Sequence, residues 1–175
     1  MNPAEKTLNL GQALELRERL LASEKKMVFT NGCFDLLHAG HVHYLKEARK
    51  QGDFLLVGIN SDASVRQLKG PGRPHRNEAR RLEMLGRLDC VDAVLVFPEA
   101  HVTDLLLKLK PDVYVKGGDY TIESIDPVLR ESLFREKIPV FFLGHVPGIS
   151  TTLLLEKMSK EELKQLEDSG GVAGQ

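Results

Sequence analysis

Between Thr30 and His41 the chain reads Thr-Asn-Gly-Cys-Phe-Asp-Leu-Leu-His-Ala-Gly-His, and its two imidazoles, His38 and His41, are the first groups that could do chemistry. A spacing of three lets both point into one site from the first turn of a helix and donate hydrogen bonds to one ligand. A helix start is itself an anion site, because its first N–H groups lack intrahelical partners and the dipole is positive there. Gly32 and Gly40 permit close approach of the backbone to phosphate oxygens. The segment matches neither G-x-G-x-x-G nor G-x-x-x-x-G-K-[ST], so it carries neither a dinucleotide fingerprint nor a P-loop. Two other readings stand beside the phosphate one. His38, His41 and His43 could bind zinc, although a third ligand at a convincing spacing is missing. They could equally be capping and surface residues.

Three further groups of residues have the right types for a polyanion. Gly148-Ile149-Ser150-Thr151-Thr152 opens the last helical stretch, and its hydroxyls read on composition alone as helix caps. From Arg66 to Arg81 there are six cations (Arg66, Lys69, Arg73, Arg76, Arg80, Arg81) against one acid, Glu78. Such a segment is either a solvated face or a patch for a small polyanion. Lys116-Gly117-Gly118-Asp119-Tyr120 directly follows an apolar run. It reads as a tight turn capped by Asp119 or, with Phe34 and Asp35, as a nucleoside pocket.

The elements that must position these groups are short apolar runs alternating with longer amphipathic ones. The runs 27–30, 54–59, 93–97, 113–115 and 140–143 read as strands, and helices are expected over 11–23, 40–50, 77–88, 102–109 and 128–136. A short helix is expected after Asn60-Ser61-Asp62, and Pro71-Gly72-Arg73-Pro74 reads as a loop. Continuously apolar strands, each followed by a helix, predict an α/β fold: one doubly wound parallel sheet with helices on both faces. The expected organisation is an N-terminal helical segment (1–26) packed on a domain spanning 27–168, then a disordered tail (169–175). In such sheets ligands bind outside the carboxyl ends of the strands, where the strand order reverses. Every group singled out above follows a strand or starts a helix.

Bulk properties narrow the class. The 175 residues carry a net charge of −1, which argues against a general nucleic-acid binder. No run approaches the roughly 18 apolar residues of a membrane span, and no signal peptide is legible at the N-terminus. Cys33 and Cys90 form no disulfide framework and read as reduced thiols, so a cytoplasmic location is expected.

The segment Gly32-Cys33-Phe34-Asp35-Leu36-Leu37-His38-Ala39-Gly40-His41 resembles the HxGH signature of the nucleotidyltransferase superfamily that contains cytidylyltransferases and small adenylyltransferases. The resemblance implies a Rossmann-like fold, with His38 and His41 binding triphosphate oxygens and stabilising the transition state. It likens Ser150, Thr151 and Thr152 to the family's ISTT-type motif, which holds the triphosphate from the opposite side. It makes Lys69 and Arg81 the cations that reach the phosphates, with Arg80 an alternative to Arg81. Gly32, Cys33, Phe34, Asp35, Gly40, Lys116, Gly117 and Asp119 then fall in the nucleotide site.

Over Met27–Met158, roughly three quarters of the chain, the resemblance narrows to adenylyltransferases that make ADP-heptose. That implies ATP and a sugar 1-phosphate as substrates, pyrophosphate as a product, and Mg²⁺ held through the nucleotide phosphates rather than by a protein cage. A homodimer is a modest expectation. The chain departs from the family pattern at Pro74-His75-Arg76-Asn77, at Ile125-Asp126-Pro127, and at Arg135–Pro139, where the family ends a helix with a Gly-Gly turn. Two alternatives remain at this point: a cytidylyltransferase for glycerol 3-phosphate or a similar alcohol phosphate, and a nucleotide-binding domain without catalysis.

Overall fold

The computed structural model describes residues 2–118 and 120–144. A short 3₁₀ turn (Pro3–Lys6) leads into β1 (Thr7–Leu8) and α1 (Leu10–Ala22), followed by β2 (Met27–Gly32) and α2 (Ala39–Arg49). Then come β3 (Phe54–Asn60), α3 (Asp62–Lys69), α4 (Glu78–Gly86), β4 (Ala93–Phe97), α5 (Thr103–Leu109), β5 (Val113–Gly117), α6 (Pro127–Arg135) and β6 (Val140–Leu143). The six strands form one sheet in the order β1-β4-β3-β2-β5-β6, and each pairing is parallel. This is the expected doubly wound α/β architecture.

The inner strands β2 to β5 are mainly apolar because both their faces are covered, and alternate residues supply alternate faces. Met27 and Phe29 of β2, Leu56 of β3 and Leu95 of β4 join one core with Ala13 of α1, Leu106 of α5 and Leu133 of α6. Val28, Leu55, Val57 and Val94 point the other way, into a core with Leu45 of α2 and Leu85 of α4. Gly58 of β3 is small for a packing reason. A Cβ there would lie 2.9 Å from the Phe29 ring and 3.4 Å from the Phe97 ring.

The N-terminal segment does more than contribute the expected helix. Thr7 and Leu8 extend the sheet by pairing with Val94 and Leu95, so the first residues guard the edge of β4. Arg17 of α1 makes a bidentate contact with Asp112 at 2.6 and 3.1 Å, and the same carboxylate accepts the Met27 N–H. One ion pair thereby fixes α1 to the entrances of β2 and β5.

Where the family pattern calls for a Gly-Gly turn, Lys137 takes a left-handed conformation (φ 55°) after α6. Its N–H donates to the Phe134 carbonyl and the Ile138 N–H to that of Leu133, the paired bonds of a Schellman ending. The geometry of the turn survives without glycine at a strain of roughly 1 kcal/mol.

Substituting Gly58→Ala should lower the unfolding free energy by about 1–3 kcal/mol, because neither Phe29 nor Phe97 can yield within a packed sheet. Urea denaturation reads this directly, and an unchanged midpoint would mean that the two rings relax without cost.

Candidate active site

The carboxyl ends of β2, β3 and β5 frame a cavity of about 780 Å³, within the roughly 300–1,000 Å³ of small-molecule sites. β2 has β3 on one side and β5 on the other, so the crevice beyond β2 is where the order of connection reverses. The cavity is lined from β2 and the loop after it by Gly32, Cys33, Phe34 and Asp35, and from α2 by His38, Gly40 and His41. Lys69 lines its β3 side, and Lys116 and Gly117 its β5 side.

The turn from β2 into α2 is strained where the site is built. Phe34, a bulky residue, has φ 46°, a conformation that costs on the order of 1–3 kcal/mol and has to be enforced by its surroundings. Its ring is buried, tilts against His41 with centroids 5.4 Å apart, and lies 3.0 Å from where a Cβ of residue 32 would stand. Gly32 thereby leaves room for the Phe34 ring to fold back onto the strand end. His38 is the N-cap of α2, and its Nδ1 accepts the His41 N–H at 3.3 Å. That bond places the proton of a neutral His38 ring on Nε2. The two imidazoles stack with centroids 3.8 Å apart, so His38 and His41 act from one place at the α2 start.

Tyr44, one turn further along α2, anchors this helix to the sheet. Its hydroxyl contacts Thr30 Oγ1 and donates to the Val115 carbonyl at 3.1 Å, and burial raises its pKa above the ordinary phenol value. A Cβ on residue 117 would stand 2.6 Å from the Tyr44 ring, so Gly117 is the space into which that ring packs. Tyr114 of β5 donates to Asn31 Oδ1 at 2.7 Å and so orients the amide of a cavity-lining residue. Asn60, at the end of β3, donates to the Glu99 carbonyl and lies 3.9 Å from Cys33 Sγ.

The basic segment divides into different roles. Lys69 is exposed at the end of α3 and lines the cavity. The expectation that Arg81 reaches phosphates is corrected. Its side chain is wholly buried, and its guanidinium donates to the carbonyls of Cys33 and Asn60 at 2.8 Å each, to Asp62 Oδ1 at 2.7 Å and to the Arg76 carbonyl at 3.1 Å. A fork with four donor contacts already made acts as a strut between loops. Arg80 is exposed and pairs with Glu83.

Asp35 lines the cavity but is 2% exposed, and its carboxylate accepts from Arg73 Nη1 (2.6 Å), the His75 N–H (2.7 Å) and the Arg76 N–H (3.0 Å). It fastens the 73–76 loop to the β2–α2 loop and offers little to a nucleoside. Asp119, Ser150, Thr151 and Thr152 lie outside the described residues. Asn31, Tyr44, Asn60 and Tyr114 were not among the expected site residues. The signal for the two asparagines is a polar side chain closing an apolar strand, at the end where ligands bind.

Residues 29–157 match the cytidylyltransferase-like family. The chain belongs to that family. It is 48% identical over 155 residues to the bifunctional protein HldE of Pseudomonas fluorescens (strain SBW25), covering 89% of this chain and 32% of that protein. Identity to the HldE of Pseudomonas entomophila (strain L48) is 49% over 153 residues, again 32% of the relative and 87% of this chain. The chain thus spans about a third of the length of these relatives. Among solved structures, the lipopolysaccharide core biosynthesis protein of Thermoplasma volcanium GSS1 superposes with a TM-score of 0.57 and 31% identity. That match covers 70% of this chain and 97% of the other. The pantoate-beta-alanine ligase of Francisella tularensis also gives 0.57, at 15% identity over 94% of this chain and 85% of that one, and shares the fold alone. Among the described residues no helix is long and apolar enough to cross a membrane, and no group of three His, Cys, Asp or Glu could hold a metal ion.

Arg81→Met should destabilise the cytidylyltransferase-like fold by about 1–3 kcal/mol for each buried carbonyl it strands, those of Cys33 and Asn60 first. It should weaken nucleotide binding as the loops separate. Urea denaturation with nucleotide titration checks both effects, and full stability with a selective binding loss would return Arg81 to the role of ligand contact.

Proposed function

We propose that the chain is an adenylyltransferase that moves AMP from ATP to a sugar 1-phosphate, D-glycero-β-D-manno-heptose 1-phosphate in the first instance, and releases pyrophosphate. The observation that carries this reading is the stacked His38–His41 pair at the start of α2, inside the strand-end cavity. The acceptor and the choice of ATP rest on the resemblance to ADP-heptose-forming enzymes and on the high identity to HldE proteins.

An acceptor phosphate oxygen forms a bond to the α-phosphorus while the bond from that phosphorus to the α,β-bridging oxygen breaks. The bonding pair leaves on pyrophosphate. The nucleophile is already ionised at neutral pH, so the residues have no proton to remove. Their work is positioning and the stabilisation of charge growing on the bridging oxygen. His38 donates from Nε2, His41 acts beside it, and the α2 start adds oriented N–H groups. Lys69 adds positive charge from the β3 flank. Ser150, Thr151 and Thr152 are assigned to the triphosphate by resemblance, and Gly40 gives it room at the helix start.

Mg²⁺ would be carried by phosphate oxygens and would supply charge neutralisation there. Asp35, whose oxygens already accept from Arg73, His75 and Arg76, is poorly placed to serve as its ligand. Free Cys33 and Cys90 accord with a reducing, cytoplasmic setting.

With Mg²⁺, pyrophosphate should appear when ATP and the heptose 1-phosphate are both present, and not with CTP in place of ATP. Release with CTP and glycerol 3-phosphate instead would make the chain a cytidylyltransferase, and ATP binding without turnover would make it a binding domain. His41→Ala should lower turnover by roughly 10²–10³, as for the loss of one donor at a developing oxyanion.

A further inference from the structure

Lys116 is a cation that the reaction as described does not use. It follows Val113–Val115 near the end of β5 and lines the cavity on the flank opposite Lys69. Its ammonium stands 4.8 Å from the centroid of the Tyr120 ring, and no carboxylate pairs with it among the described residues. The ring face supplies weak attraction to a cation and does not neutralise it. Its neighbours across the cavity are the Cys33 loop and, beneath Gly117, the packed Tyr44 ring. A desolvated ammonium with no counter-charge among the described residues is costly to maintain unless a ligand brings that charge.

A nucleoside gives it no such partner, because base and ribose are neutral. The triphosphate is assigned to the α2 start, Lys69 and the Ser150 segment. One anion of the proposed reaction remains. The acceptor's phosphate, a dianion, has to approach a polyanionic nucleotide, and Coulomb repulsion opposes that approach unless a cation holds the newcomer.

We propose that Lys116 binds the phosphate group of the sugar 1-phosphate acceptor, with the Tyr120 ring holding the ammonium in place, and that it thereby positions the nucleophile on the β5 side of the cavity. This rests on the adenylyl-transfer reading for the identity of the acceptor, and it replaces the expectation that Lys116 belongs to a nucleoside pocket. Burial lowers the pKa of Lys116 below the ordinary lysine value. A bound dianion favours the charged form and raises it again. Phosphate binding in alkaline solution should therefore be accompanied by proton uptake, and its affinity should fall as the pH rises through the pKa of the free protein's Lys116.

Kinetics and direct binding test the assignment together. In Lys116→Gln the KM for heptose 1-phosphate should rise roughly 10- to 100-fold, as for loss of a charge-assisted contact, while the KM for ATP changes little. Lys116→Arg should recover most of the loss. Calorimetry of inorganic phosphate binding to the protein preloaded with α,β-methylene-ATP needs no turnover, so it separates a wrong subsite from a wrong reaction. The wild type should bind phosphate with proton uptake at alkaline pH, measured in buffers of different ionisation enthalpy, and Lys116→Gln should bind it at least tenfold more weakly. α,β-Methylene-ATP affinity that falls in step with phosphate affinity would assign Lys116 to the nucleotide and overturn the proposal. So would wild-type phosphate binding without proton uptake, or none at all. If phosphate binds as stated but no pyrophosphate forms from ATP and heptose 1-phosphate, the acceptor subsite stands and the adenylyl-transfer reading fails.

Discussion

A buried guanidinium at Arg81 joins the loops that follow β2 and β3 just beyond the end of their strand pairing. It donates to the carbonyl of Cys33 in the β2–α2 loop, to that of Asn60 at the end of β3, and to the Asp62 carboxylate at the start of α3. Parallel strands present loops at their carboxyl ends, and loops are the least constrained part of such a fold. A site built there needs rigid connections made from side chains. Arg81 supplies one, because its donors lie in a fixed plane and cannot be deprotonated. Asp35 supplies the complementary one by holding the 73–76 loop through a side chain and two backbone N–H groups. The arrangement is a buried cation and a buried anion with different partners. Each strains the desolvation balance alone, and each is satisfied by several hydrogen bonds.

These braces matter because the two imidazoles at the α2 start have little intrinsic rigidity. The His38 ring is fixed by capping α2, and its stacking on His41 makes the orientation of one ring depend on that of the other. The helix that carries them is seated by the buried Tyr44 hydroxyl between Thr30 and the Val115 carbonyl, which ties α2 to β2 and β5 at once. Gly117 gives the space for that seat, and Gly32 for the fold of Phe34. Gly32, which reads in the sequence as a phosphate-approach position, and Gly117, which reads there as part of a turn or nucleoside pocket, both make room for aromatic rings.

The strands were legible because burial leaves five short, continuously apolar runs, and the helices because their spacing separates a core face from a wet one. β1 was not legible. Two residues, Thr7 and Leu8, carry no period, and their conformation is set by the free edge of β4. For the site, residue type and spacing pointed to His38, His41 and Lys116, and the family resemblance to Lys69; all four line the cavity. The resemblance also sent Arg81 to the phosphates, whereas its side chain is buried and its guanidinium already bonded. Composition shows a basic segment, but only packing shows which cation faces inward, and adjacent arginines on a helix point about 100° apart. Arg80 and Arg81 divide accordingly into an exposed ion pair and a buried strut. Asn31 and Asn60 were visible as polar residues closing apolar strands, yet their partners, Tyr114 and the Glu99 carbonyl, are set by tertiary contacts.

The near-neutral net charge then acquires a meaning beyond arguing against a general nucleic-acid binder. Several cations of the 66–81 segment are matched by acids of the chain itself: Arg73 by Asp35, Arg80 by Glu83, Arg81 by Asp62. Internal pairing removes these charges from the field that a ligand meets. Lys69 and Lys116 remain on opposite flanks of the cavity, neither in an ion pair among the described residues. Two separated cations, with the stacked imidazoles of the α2 start also lining the cavity, leave unpaired positive charge on both of its flanks. Charge in this protein is therefore better read by which groups are already paired than by its sum, because in a cavity of low dielectric an unpaired ammonium interacts with an incoming phosphate far more strongly than an exposed, screened one.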